Sequence, residues 1–179
     1  KEMLSLNSWI KEAAEWQQPL DEFLIDYNMR ELECSQEDLL AKMQEMLDVM
    51  EKSVEHGLSG LRSHSGLTGG DAKKLAAAAG AEGFVNLLGE KALDAVIYAT
   101  AVGECNAAMG RIVAAPTAGA SGVLPGVFFT LKKHCGLDAA TLQRGMVVAG
   151  SIGMVINERA SLAGAMGGCQ AECGSAAAM

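Results

Sequence analysis

The sequence is poor in rings. Phe, Trp and Tyr make up 4% of its 179 residues, although half of the residues are hydrophobic. A core without aromatics must be built from Ala, Leu, Val, Ile and the ten Met, a palette that favours helices over sheets. Positive charge is also in deficit: fourteen basic against twenty-two acidic residues leave a net charge of −8. That balance argues against a nucleic acid or an anionic membrane surface as partner. No secretory signal is read in the sequence, and five cysteines is an odd number, so a disulfide framework is not expected and the cytoplasm is the default compartment. The phosphate-loop pattern Gly-x-x-x-x-Gly-Lys-Ser/Thr is absent.

What is present reads as helices. Trp9 and Trp16 lie seven apart, on one face of a first helix that Pro19 separates from a second over about Leu20–Met29. Ser35, with Asp38 three residues on, caps the clearest helix. Its apolar positions Leu39, Leu40, Met43, Leu47, Met50 and Val54 recur at helical spacing, and Gly57 ends it. A further helix starts near Asp71, another spans Glu90–Met109, and others cover Gly126–His134 and Thr141–Val155. The expected fold is all-α: a multi-helix domain over residues 1–179 whose glycine-rich loops line a buried site.

Three stretches of small residues separate these helices. Gly57–Leu75 (GLSGLRSHSGLTGGDAKKL) is rich in Gly and Ser and runs into a helix N-terminus. Free backbone N–H groups and the helix dipole there make a seat for a carboxylate or a phosphate. The same composition also describes a flexible connection. Arg111–Pro125 (RIVAAPTAGASGVLP) is a second such loop, with Thr117 and Ser121 as donors, and Pro116 pushes Ala115 away from helix geometry. The third, Ser161–Met179, carries Cys169 and Cys173 four apart, on one helical face. By spacing alone the two thiols are either inert and buried or turned together into one pocket. Three such stretches read as walls of a single site.

The segments SGLTGGDA (65–72), ECNAAMGRIVAAPTAGASGVLPG (104–126) and AGAMGGCQAECGSAAAM (163–179) resemble, in order, the alpha chain of the iron–sulfur-dependent L-serine dehydratases. The resemblance implies a lyase that deaminates L-serine to pyruvate and ammonia. A 4Fe–4S cluster held by three cysteines would leave one iron open as a Lewis acid for the departing hydroxyl. It implies Cys169 as a cluster ligand and Ser65, Thr68, Gly69, Gly70, Asn106, Pro116, Thr117, Ala118 and Gly119 as the substrate-binding set. Glu104 and Glu172 are the carboxylates offered as catalytic. The family's other two cluster cysteines lie in a later segment, so the sequence is expected to be a C-terminally truncated catalytic domain, inactive and without its cluster in this form. A separate beta chain or a homo-oligomer is the implied assembly. Two other functions compete with this one: a related cluster-dependent L-cysteine desulfidase, and a non-catalytic helical subunit that binds an anion.

Overall fold

The computed structural model describes residues 3–162 and 164–179; Ala163, the first residue of the last matching segment, lies outside them. Among the described residues the chain forms eight α-helices and no strand. They are α1 (Leu6–Glu15), α2 (Leu20–Leu32), α3 (Gln36–Leu58), α4 (Asp71–Ala79), α5 (Glu90–Ala107), α6 (Val123–Cys135), α7 (Ala139–Arg159) and α8 (Gly164–Ala178). The expected all-α architecture is present. The chain divides into two compact units. One comprises residues 1–45 and 138–179, the other residues 46–137, and α3 runs through the division.

The first unit is built on α2 and α7. Trp9, Phe23, Leu24, Ile25, Leu39, Val147 and Val155 form its buried cluster. Trp9 stacks at a tilt on Tyr27, with ring centroids 5.0 Å apart. Trp16, expected on the same helical face as Trp9, is 57% exposed, because α1 ends at Glu15 and Trp16 sits on its C-cap. Within the apolar interface Asn28 donates to Ser151 Oγ at 2.9 Å, so neither polar group is orphaned. At the rim Arg144 of α7 meets Asp21 and Glu22 of α2 at 2.6 and 3.3 Å. Asp138 accepts from the Thr141 amide at 2.8 Å, a side-chain cap that starts α7 two residues before the expected Thr141. By length and mean hydropathy (1.3 over its most apolar window) α7 would also suit a membrane span. Its buried residues Leu142, Met146, Val147 and Ala149 serve the core of this unit, and Arg144 on the same helix is ion-paired.

The second unit is organised on α5, whose small residues let neighbouring backbones close in. A methyl added to Gly57 would overlap the carbonyl of Ala101, and one on Gly126 would lie 2.8 Å from the Ala95 carbonyl oxygen. Gly57 therefore does not terminate α3, as its identity suggests. It sits buried in the last turn of α3, where contact with α5 requires the missing side chain. The helix ends after Leu58. Similarly, α6 begins at Val123, three residues before the expected Gly126, with Pro125 in its first turn, where a backbone N–H has no helical partner to lose. The apolar positions of α3 behave as core: Leu39, Leu47, Met50 and Val54 are buried, and Leu40 and Met43 are half-buried.

Candidate functional site

The loop before α4 is closed on itself. The Ser63 amide donates to the Thr68 carbonyl at 2.8 Å, and the Thr68 amide donates back to Ser63 Oγ at 3.1 Å. Ser65 Oγ lies 3.2 Å from Ser63 Oγ. Gly69, at φ +121°, passes so close to Leu61 that a side chain there would meet its carbonyl, and Gly70 is the left-handed N-cap of α4. These constraints make the segment a defined turn, not a slack connection. Ser65 and Thr68 are exposed on it, whereas Gly69 is buried.

The anion seat anticipated at the start of α4 exists, and the chain fills it itself. Glu104, in the last turn of α5 and only 4% exposed, accepts from the amides of Asp71 at 2.6 Å and Ala72 at 3.2 Å through Oε1. With Gly at the N-cap no local side chain can cap α4, so a carboxylate thirty-three residues away does so. The first two amides of α4 are thereby engaged by the chain itself. The other oxygen of Glu104, Oε2, is buried without a hydrogen-bond partner.

Two residues on, Asn106 donates from Nδ2 to the Ala118 carbonyl at 3.2 Å, and Ser121 Oγ donates to the same oxygen at 2.7 Å. The Pro116–Gly119 turn is thus pinned to the end of α5. Thr117 Oγ1 is shielded there and has no partner, while Ala118 and Gly119 are exposed. The last turn of α5 thus holds both loops, the 69–70 turn through Glu104 and the 116–119 turn through Asn106, two residues apart on the helix. Neighbouring Cys105 is buried, and burial pushes its thiol up from the ordinary value.

Cys169 and Glu172 lie in the other compact unit. Here α8 is broken at Gly168 (φ +73°, ψ 175°), and Cys169 opens the helical segment that follows. The stretch is helical on both sides of that break. Cys169 and Cys173 are both exposed, and their sulfurs share a hydrogen bond at 3.9 Å, as the four-residue spacing predicts. That hydrogen bond, together with the charge of Cys169, raises the Cys173 thiol above its ordinary value. The Glu172 carboxylate folds back across the break, with Oε2 2.7 Å from where a methyl on Gly164 would lie. At the other end of α8, Ala176 is buried and Met179 packs over Gly153 of α7. Among the described residues no group of three His, Cys, Asp or Glu is placed to hold a metal ion.

One polar cluster was not legible in the sequence. Asp94 on α5 accepts from Lys133 Nζ at 2.7 Å and pairs with His134 Nε2 at 2.6 Å, beside a cavity of about 430 Å³ that Phe84 and Asn86 also line. Burial raises the Asp94 carboxyl, but the hydrogen bonds and charges of Lys133 and His134 outweigh it and hold it below its ordinary value. Partners forty residues apart leave no local spacing to notice.

The family model described as "Serine dehydratase alpha chain" matches residues 3–179. The probable L-serine dehydratase, alpha chain, of Bacillus subtilis (strain 168) is 44% identical over 160 residues, covering 89% of this chain and 53% of that protein. The L-serine dehydratase, alpha chain, of Peptoniphilus asaccharolyticus is 34% identical over 160 residues, 88% of this chain and 54% of its own length. L-serine dehydratase 2 of Escherichia coli (strain K12) is 44% identical over 84 residues, 46% of this chain and 18% of that protein. The chain spans about half the length of the curated alpha chains it matches along most of its sequence.

Proposed function

Because the chain belongs to the serine dehydratase alpha chain family, we propose that it serves the deamination of L-serine to pyruvate and ammonia by elimination of water. The observation that carries this reading is the match along residues 3–179. The reaction removes a proton from Cα and a hydroxyl from Cβ, so it needs a base, help for a poor leaving group, and a grip on the substrate carboxylate. Glu104 is our candidate base: with Oε1 fixed by two amides, its buried Oε2 keeps a lone pair free for a proton. The unpartnered Thr117 hydroxyl and the exposed Ala118–Gly119 backbone are the donors we assign to the substrate carboxylate, in place of the occupied amides at α4. Glu172 is the second carboxylate in the proposal, held beside Gly164 in the segment that carries Cys169.

A 4Fe–4S cluster belongs to the same proposal, with Cys169 as one ligand. The donors of this chain do not by themselves fit it. Cys169 offers one exposed thiol, Cys173 stands 3.9 Å away, and no third donor joins them among the described residues. We therefore route no step through the cluster. We also propose a cytoplasmic location, which suits five free thiols, and assembly with a beta chain or a second copy.

The test is anaerobic reconstitution of the full-length protein with iron and sulfide, followed by assay on L-serine and L-cysteine. Pyruvate and ammonia from L-serine, with kcat/KM at least about tenfold above that for L-cysteine, is the expected result. Sulfide release from L-cysteine as the preferred reaction would replace the proposal with a desulfidase, and absence of bound iron and of turnover would replace it with a non-catalytic subunit.

A further inference from the structure

The geometry points to Cys169 and Cys173 as a reversible disulfide pair on α8, an oxidation site in its own right. Both thiols are exposed, and their sulfurs already lie 3.9 Å apart. Residues four apart within an unbroken helix have Cβ atoms about 5–6 Å apart, whereas a disulfide brings them to about 4 Å, so an ordinary helix resists the bridge. This helix is not unbroken. The non-helical Gly168 immediately precedes Cys169, so Cys169 belongs to the first turn of its segment and can move toward Cys173 without unwinding turns on both sides. Gly174, with open space where a side chain would be, follows Cys173 and adds no steric barrier. The remaining cysteines are differently placed: Cys34 is half-buried, Cys105 is buried, and Cys135 lies in the other unit.

The oxidant is a low-molecular-weight disulfide, RSSR. The thiolate of one cysteine attacks it, forming a mixed disulfide and releasing RS⁻. The thiolate of the second cysteine then attacks the protein sulfur of that mixed disulfide, forming the internal S–S bond and releasing the second RS⁻. Two electrons pass from the protein to RSSR, and the protons of the two thiols end on two RSH. Disulfides in reducing compartments are characteristically transient and redox-sensing, which is the behaviour expected of an exposed pair like this one.

The test uses the full-length protein, reduced, freed of iron by a chelator, and exposed to oxidised glutathione without air. Cleavage after Arg159 releases a peptide that starts at Ala160 and contains both cysteines. The expected result is that this peptide loses the mass of two hydrogens, without an added glutathione, and regains it on treatment with a dithiol. Cys173→Ser should instead carry one glutathione on Cys169. A wild-type peptide that retains glutathione with no internal bridge, or that is bridged to another chain, overturns the pair.

Discussion

The glycine-rich turn ahead of α4 and the glycine-rich α8 share a composition and use it in opposite ways. In the first, Gly69 and Gly70 let the chain pass close to Leu61 and turn into a helix, and the anion seat so formed is taken by the chain's own Glu104. In the second, Gly168 breaks the helix and the glycines beside the thiols face open space, leaving Cys169 and Cys173 exposed. Small residues thus lock one region and free the other. What separates the two is the backbone of a neighbouring element lying against the glycine, a property that composition does not carry.

The same substitution should therefore have opposite signs in the two settings. Gly69→Ala drives a methyl into the Leu61 carbonyl at a left-handed φ and should destabilise the protein by about 3 kcal/mol, read as a lower urea midpoint. Gly174→Ala meets nothing within 4 Å in an exposed helical position and should stabilise by about 0.5 kcal/mol. Equal effects would break the comparison.

Next in size is the internal cap. Glu104→Ala leaves the amides of Asp71 and Ala72 without their acceptor and should cost about 2 kcal/mol, with faster hydrogen exchange in the first turn of α4. Glu104→Gln keeps an acceptor oxygen and should cost about 1 kcal/mol. If Glu104 is also the base, Gln should depress serine turnover far more than it depresses stability. Equal, small losses in both would leave Glu104 as a cap alone.

The acid limb of stability sharpens the picture in both units. Burial alone raises Asp21, but the hydrogen bond and charge of Arg144 outweigh it, and the folded carboxyl titrates below its ordinary 3.8. Asp94 is lowered in the same sense. Each binds its proton less readily when folded than when unfolded. Their stabilisation is therefore fully present above about pH 5 and is lost as pH falls through the depressed folded values. Asp94→Asn should flatten the fall of the urea midpoint below about pH 4, and an unchanged slope would contradict it.

Much of the helical order was legible because it depends on local signals. The Ser35–Asp38 cap forms as its spacing predicts, with the Asp38 amide donating to Ser35 Oγ at 3.1 Å. The start of α4 at Asp71 and the extent of α5 follow from the same kind of signal. The misreadings occur where tertiary contact overrides a residue's usual meaning. Gly57 continues a helix because Ala101 lies against it, and Pro125 opens one because the first turn tolerates it. Within the candidate site, motif positions were legible, but roles that depend on distance were not. Nothing near Gly70 announces that its helix is capped from α5, and nothing near Asp94 announces Lys133 and His134.

Among these changes Cys173→Ser should be the smallest, within about 0.5 kcal/mol of the parent, because the side chain is exposed. Its contrast with Cys169→Ser is the most direct test of the account. Both variants of the full-length protein would be reconstituted anaerobically, with bound iron and pyruvate formed from L-serine measured on the same samples. Cys169→Ser is expected to lose iron and turnover together, while Cys173→Ser keeps both. Iron and turnover retained in Cys169→Ser and lost in Cys173→Ser would contradict it.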